Sequence, residues 1–402
     1  MADFLTAREA AQRLGVKPAT LYAYVSRGVL SRGKAADGRV SLFDADEVER
    51  LARRGRPRRP AGVADITVES AITEITGDSL RFRGLDVSRL AVSRTFEEVA
   101  ELLWTGEFRS AREPWQARRA ALAAGRAAQA ALPAGTLPLE RLQVIVPAMA
   151  ATDPLRLQFD PAAVLAAGRS IIAGMVDCLP SGVTPGLGEP VAGRLWSRLC
   201  DHRASPGLLR AVSAALVLLA DHELAASTLA ARAVASVRAD PYAVVATGLG
   251  AMSGALHGGA SLGAEMLMAA ASGPDDVPRV VAELLRRGEK VPGFGHFVYR
   301  GGDPRAMVLL DLVRRAAPKS GQLAVADAVL AEVRQKSLPE PNVDFAIATL
   351  ARVAGMVRGA GEAIFAVART AGWIAHALEA YAGPGPLRPR AVYSGRPATD
   401  GS

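Results

Sequence analysis

VPGFGHFVYRGGDPRA, residues 291–306, is the stretch on which the reading of this chain turns. It sets His296 directly after a Gly-Phe-Gly run and follows it with Arg300, Asp303 and Arg305. A histidine beside glycine is presented on a turn where backbone can approach a ligand closely, and its imidazole can then donate to a ligand carbonyl. Only five histidines occur in the 402 residues, and two more keep similar company: His222 in LADHELAASTLAARAVAS (219–236) and His257 in GAMSGALHGGA (250–260). Taken singly, each reads equally well as a satisfied structural histidine. Downstream come Asp344 in PNVDFAIATL (341–350), Arg369 in FAVARTAGWIAHALEAY (365–381), and Arg388 and Arg390 in RPRAVYSG (388–395). Guanidinium forks suit a substrate with several carboxylates. One aspartate with neutral imidazoles around a carbonyl compound suits proton abstraction next to a thioester, followed by carbon–carbon bond formation.

In chain order the six motifs resemble those of citrate synthases and 2-methylcitrate synthases, and AITEITGDSLRFRGLDVSRLA (71–91) with FEEVAELLWTGEF (96–108) is similar to that family's N-terminal region. The resemblance runs from about Asp65 to Gly395, with a weak middle. It implies an all-α body with a large helical domain, 65–258 and 356–402, and a smaller one, 259–355, that closes on substrate and excludes water. It also implies roles. Asp344 takes a proton from acetyl-CoA or a short acyl-CoA, and His257 holds the thioester oxygen. His296 polarises the ketone of oxaloacetate or a similar 2-oxo acid, and His222 hydrogen-bonds the same substrate. Arg305, Arg369 and Arg388 bind carboxylates, while Val291, Pro292, Gly293, Phe294 and Gly295 cradle the CoA adenine. The counterpart of Arg388 comes from the other subunit, so a homodimer is implied. Acyl-CoA enters as co-substrate, with no cofactor and no metal. The chain departs from the family at Ser261-Leu262, where Asn-Glu is usual, and at Ala346-Ile347-Ala348, where an aromatic-Ser-Gly is usual. Both departures adjoin the site and bear on which acyl-CoA and 2-oxo acid are accepted.

The rest of the body reads as helical. Thr95 with Glu98 makes a capping box for an amphipathic helix that stops at Gly106, and a short hairpin is expected near 72–82. Residues 107–200 promise helices and surface turns without a reactive constellation. Cys178 and Cys200 lack metal-ligand spacing and read as packing residues. Asp221-His222-Glu223 lacks the second histidine of a zinc helix, and Gly248-Leu249-Gly250 has neither dinucleotide nor P-loop spacing. His376, in the apolar GWIAHALE, reads as a packed helix residue, and His202 falls in the uninformative middle. With no apolar run judged long enough to cross a bilayer and no cleavable leader, a soluble cytoplasmic protein is expected.

Charge is concentrated at the N-terminus: residues 1–64 hold 13 Lys or Arg against 7 Asp or Glu, most of the whole chain's net +8, which suggests a polyanion partner. Thr6 and Glu9 form a capping box opening a helix that Gly15 stops, and Pro18 begins a second helix ending at Gly28. A small wing follows over Ser31 to Phe43, and then a third helix capped by Asp44 and Glu47. The pattern resembles the winged helix-turn-helix of the MerR and excisionase type, over residues 1–52, with Thr20, Tyr22, Ala23 and Arg27 as groove or phosphate contacts. The bland alternative is a helical protein-docking domain. Residues 53–64 form a basic linker whose Arg54 and Arg56 resemble an AT-hook reaching into a minor groove, or serve only a solvated tether. Two readings follow: a condensing enzyme whose N-terminal domain binds DNA, or a DNA-binding regulator using an enzymatically weak synthase body as metabolite sensor and dimeriser.

Overall fold

The computed structural model describes residues 68–109, 113–183, 188–299 and 301–389, and in the N-terminal part 4–14, 16, 21, 24, 25, 30, 31, 33, 34, 41–45, 47 and 48. Chain contacts divide it into two units, Met1–Val68 and Glu69–Ser402.

In the first unit, β1 (Phe4–Thr6), β2 (Gly33–Lys34) and β3 (Ser41–Asp44) build a three-stranded antiparallel sheet of order β1-β3-β2, and α1 (Ala7–Leu14) follows β1 directly. The wing is the β2–β3 pair. β1, which sequence reading did not anticipate, adds the third strand with Phe4 opposite Asp44. Thr6 and Glu9 form the expected box: the Thr6 N–H and hydroxyl both donate to Glu9 at 2.8 Å. Asp44 caps by accepting from the Glu47 N–H at 3.0 Å. Ala10, Ala11, Leu21, Leu30, Phe43 and Val48 make a separate small core.

The second unit opens with a three-stranded meander, β4 (Thr73–Thr76), β5 (Ser79–Phe82) and β6 (Leu85–Asp86), where the hairpin was expected. Helices follow: α2 (Val87–Ser93), α3 (Phe96–Thr105), α4 (Arg119–Ala130), α5 (Pro138–Ala150), α6 (Pro161–Cys178), α7 (Val191–Leu199), α8 (Pro206–Leu219), α9 (Ala226–Ser236), α10 (Pro241–Met252), α11 (Gly259–Ala270), α12 (Val277–Arg286), α13 (Pro304–Ala316), α14 (Gly321–Gln335), α15 (Val343–Val353) and α16 (Ala360–Ala382). Four of them begin with the same device. Asp160, Ser205, Asp240 and Asp303 each accept a backbone N–H from the first turn, and each is followed by a proline whose missing N–H costs nothing there. The Thr95–Glu98 box on α3 is formed, and Gly106 ends that helix in the left-handed conformation. Thr95→Ala removes one cap bond, so chemical denaturation should report a loss of about 1 kcal/mol.

α16 is the axis of this unit. Its sides pack against α3, α6, α8, α9, α10 and α15, and it is buried along nearly all its length, including Arg369 and His376. One finding departs from the sequence reading: α6 is long and apolar enough by composition to cross a membrane, but 61% of it is buried inside the fold. Arg169, on its flank, forms a two-pronged ion pair with the buried Glu101, at 2.6 and 2.9 Å. Cys178 and Cys200 are both free and buried.

Candidate active site

His296 is placed by a turn stapled to the start of α15. The Asn342 N–H donates to the Gly293 carbonyl at 2.9 Å, the Gly295 N–H to Glu340 at 2.8 Å, and Asn342 Nδ2 to the Gly295 carbonyl at 2.9 Å. Asn342 also caps α15, accepting from the Asp344 and Phe345 N–H groups. One asparagine therefore fixes the His296 turn and Asp344 together. Gly293 makes the close approach possible: it holds φ +82°, and a Cβ there would lie 2.7 Å from the Phe345 Cβ. Gly293→Ala should cost about 1–2 kcal/mol from the left-handed backbone alone. Because it also forces the His296 turn away from Phe345 at the start of α15, turnover should fall on the order of 10²-fold, more than any loss of stability explains. Thermal melts and steady-state kinetics on the same preparation separate the two.

The neighbours of His296 define its hydrogen-bonding state. Nδ1 accepts from the Val298 and Tyr299 N–H groups at 3.0 and 3.3 Å, which leaves the ring proton on Nε2. Arg305 Nη2 lies 3.4 Å from that Nε2, so two donors converge on one point, the arrangement a carbonyl or carboxylate oxygen would satisfy. Arg305 is itself almost fully buried and gripped by Asp303 at 2.9 and 2.8 Å, while Asp303 also accepts from the Val343 N–H at 3.0 Å. Burial, reinforced by the Arg305 charge, pushes the His296 imidazole down to about 4, so it is neutral near pH 7.

His222 joins the same group. Its Nε2 is 2.9 Å from the Tyr299 hydroxyl, and its ring centroid is 5.2 Å from that of His296. Burial first, then the charges of Arg305 and Arg369, hold it well below the ordinary histidine value. Tyr299, which sequence reading passed over, is buried between the two histidines with its hydroxyl pushed up to about 12 by burial. Its signal was its place inside the 291–306 motif.

His257 sits on the turn between α10 and α11. The buried Ser227 hydroxyl is 2.7 Å from its Nε2, and its ring meets Phe365 edge to face at 5.6 Å. Burial, with Arg369 nearby, lowers this imidazole to about 4 as well. Phe365 also lies under the Arg369 guanidinium at 4.7 Å. Arg369 Nε donates to the Leu219 carbonyl at 2.8 Å, but its buried Nη1 has no partner in the protein. Asp344 is the complementary orphan. Its Oδ1 is sealed and accepts no hydrogen bond, and burial pushes its carboxyl up to about 7 although Arg305 and Arg369 pull it down.

The fold thus gathers His222, His257, His296, Arg305, Arg369 and Asp344 into one electrostatically coupled cluster. Arg388 is not part of it: the residue is exposed on the segment after α16, whose Leu387 N–H donates to Ser236 at 2.8 Å. A cavity of about 550 Å³ opens beside His296, lined by Val291, Phe294, Gly295, Lys290 and the exposed Phe297 among others. Of the five residues expected to cradle adenine, Pro292 and Gly293 do not line it; they lie instead against Gly263 and Phe345. The substitutions Ala346, Ile347 and Ala348 are fully buried on α15, and Ser261 is buried with its hydroxyl unpartnered. Thr20, Tyr22, Ala23, Arg27, Arg54 and Arg56 lie outside the described residues, as do Arg300 and Arg390.

Residues 62–390 match the family profile described as citrate synthase, C-terminal domain, and residues 4–56 match one described as a helix-turn-helix domain. Citrate synthase 2 of Bacillus subtilis is 30% identical over 363 residues, covering 82% of this chain and 94% of that protein. A 2-methylcitrate synthase of Mycobacterium tuberculosis is 30% identical over 365 residues, covering 85% and 91%. Among solved structures, a citrate synthase from Pyrobaculum aerophilum superposes with a TM-score of 0.70 at 27% identity, covering 85% of this chain and 93% of that one. A citrate synthase from Thermoplasma acidophilum, in ternary complex with carboxymethyl coenzyme A and oxaloacetate, superposes with a TM-score of 0.73 at 24% identity, covering 85% and 97%.

Proposed function

Because the chain belongs to the citrate synthase family, we propose that it condenses acetyl-CoA or another short acyl-CoA with oxaloacetate or a related 2-oxo acid and releases CoA. The observation that carries this reading is Asp344: a carboxyl with a sealed, unpartnered oxygen, poised near neutrality beside two buried arginines and neutral imidazoles. Such a group is a base with no structural task to hold it back. Asp344 takes a proton from the carbon next to the thioester. The Ser227 hydroxyl lies 2.7 Å from His257 Nε2; with that hydroxyl donating, the imidazole presents Nδ1–H to the thioester oxygen and stabilises the enol. The enol carbon bonds to the ketone carbon of the 2-oxo acid, whose oxygen lies between His296 Nε2–H and Arg305. Arg369 Nη1 supplies a carboxylate contact. Water then cleaves the thioester and frees CoA. The exposed cavity beside His296, with Lys290 and Phe297 at its edge, is where the CoA nucleotide binds. Arg388, outside the cluster, acts in the partner's site of a homodimer, and the 259–355 domain closes over both substrates.

The test is thiol release by purified protein with oxaloacetate and either acetyl-CoA or propionyl-CoA. Release that depends on the 2-oxo acid is expected, and its absence with both donors overturns the reading.

A second activity rests on the helix-turn-helix match and the basic N-terminus: the N-terminal unit binds DNA, as two copies in the dimer on a two-fold site. Full-length protein should bind duplex DNA with affinity that falls steeply between low and physiological salt. Binding that is absent, or insensitive to salt, removes this reading without touching the first.

A further inference from the structure

Three consecutive residues, Leu219, Ala220 and Asp221, dock along one face of α16. The Leu219 carbonyl accepts from Arg369 Nε at 2.8 Å, the Ala220 carbonyl accepts from the Gly372 N–H at 2.9 Å, and Asp221 Oδ1 lies 3.4 Å from His376 Nε2. Positions 369, 372 and 376 share a helical face, so a chain laid against α16 meets them in turn. Glycine is required in the middle: a Cβ at 372 would stand 2.3 Å from Asp221 Oδ1 and 2.5 Å from the Ala220 carbonyl oxygen. The residue that follows is His222, and the chain leaves it through Glu223 at φ +51°, a strained turn for a residue with a side chain. The docking of 219–221 therefore decides where His222 points.

Asp221 and His376 are buried ionisable groups that the proposed chemistry does not use. Asp221 Oδ2 accepts from the Thr73 hydroxyl at 2.6 Å and the Glu223 N–H at 3.2 Å. Burial opposes the Asp221 charge, but His376, Arg369 and Thr73 together outweigh it and keep the carboxyl below the usual range. His376 Nδ1 lies 2.9 Å from Arg232 Nη1, a group that only donates, so Nδ1 accepts and the ring proton sits on Nε2, facing Asp221. Arg232 is anchored in turn by Glu379 at 2.6 Å and the Glu69 carbonyl at 3.1 Å. Neither Asp221 Oδ1 nor His376 Nε2 has a formed hydrogen bond elsewhere, and their separation is just beyond the ordinary N–H···O range of about 2.7–3.2 Å.

We propose that Asp221 and His376 are a positioning pair: they clamp residues 219–221 onto α16 so that His222 and the Arg369 guanidinium face the 2-oxo acid together. The pair touches no substrate. Its effect falls on the 2-oxo acid side of the site and spares the acyl-CoA side, which His257 and Asp344 serve from other elements. The inference rests on reading the cluster as a 2-oxo acid pocket.

The test uses full-length protein with ¹⁵N-labelled histidine, where five residues give a tractable ring spectrum, together with KM values for both substrates. His376→Leu removes the donor at similar bulk, and His376→Gln keeps an N–H donor directed at Asp221. In His376→Leu the His222 ring signals should move without any ligand, and KM for oxaloacetate should rise about tenfold while that for acetyl-CoA changes less than about twofold. His376→Gln should recover both. Thr73→Val, a milder change that strips one bond from Asp221, should move the same His222 signals and serves if His376→Leu fails to fold. Unmoved His222 signals in a folded variant, equal rises in both KM values, or a glutamine no better than leucine would overturn the proposal. If the wild-type protein releases no CoA, the proposed reaction fails by itself, and the ligand-free His222 spectrum still decides the positioning.

Discussion

Asp344→Asn should lower CoA release at saturating substrates by about 10³-fold while leaving oxaloacetate affinity nearly unchanged. The amide keeps the shape of the carboxyl and the α15 cap, because Asn342 bonds the backbone N–H of residue 344 and not its side chain. What it removes is the proposed base. The pH dependence follows from the same group. Burial pushes the Asp344 carboxyl up to about 7, so only above that pH is the base mostly ionised, and the rate should climb through neutrality and level off above it. His257 and His296, near 4, stay neutral across that range and add no step there. Stability should move the opposite way. A carboxyl whose folded value is raised contributes stability that is present below its unfolded value of about 4 and lost as pH rises through the folded one. Asp344→Asn should therefore melt higher than wild type at pH 8, with the gap narrowing towards pH 5. A flat rate between pH 6 and 8, or a variant less stable than wild type at pH 8, would show that Asp344 is a packing residue and not a base.

Features fixed by neighbouring residues are legible in this sequence, and those fixed by distant ones are not. Helix starts are local chemistry, so Thr95 with Glu98 and Thr6 with Glu9 announced themselves, and the pairs Asp160-Pro161, Ser205-Pro206, Asp240-Pro241 and Asp303-Pro304 carry the same signal in residues whose composition alone is featureless. β1 was invisible because three residues are too few to show alternation. The site was legible as a set of residue types, since three scarce histidines, one aspartate and two arginines do meet. Their partners were not. Asp303 and Tyr299 stand inside the 291–306 motif, but nothing in one sequence separates a residue that grips a neighbour from one that faces a ligand. His376 illustrates the same limit. Its apolar helix made it a packed residue, and it is one, yet the polar atoms it meets come from Asp221 and Arg232, more than 140 positions earlier in the chain. Arg388 marks the opposite case: its motif was as clear as the others, but it stands apart from the cluster in the single chain.

The two buried arginines should part company when each is replaced by leucine. Arg305→Leu should lose substrate and fold together. Arg305 is the counter-ion of Asp303, which is 1% exposed, and without it that carboxylate keeps only the N–H groups of residues 305 and 343. Breaking a buried pair from one side costs about 3–5 kcal/mol, enough to show as a large drop in the denaturation midpoint. Arg369 is equally buried but differently supported. It has one hydrogen bond, to a backbone carbonyl, and burial drags its guanidinium down to about 10, so the fold holds this cation against a desolvation cost that no dedicated carboxylate offsets. Asp221, the acid whose charge acts on it most strongly, keeps Thr73, the Glu223 N–H and His376 when Arg369 is gone. Arg369→Leu should therefore stay within about 1–2 kcal/mol of wild type, the cost of one orphaned carbonyl. Its loss appears in binding: a buried charge-assisted contact to a carboxylate is worth a few kcal/mol, so KM for oxaloacetate should rise about 10²-fold with acyl-CoA affinity little changed. If both variants unfold alike, Arg369 belongs to the core and the unpartnered Nη1 has no ligand to meet; if Arg369→Leu folds and binds oxaloacetate normally, the carboxylate site lies elsewhere.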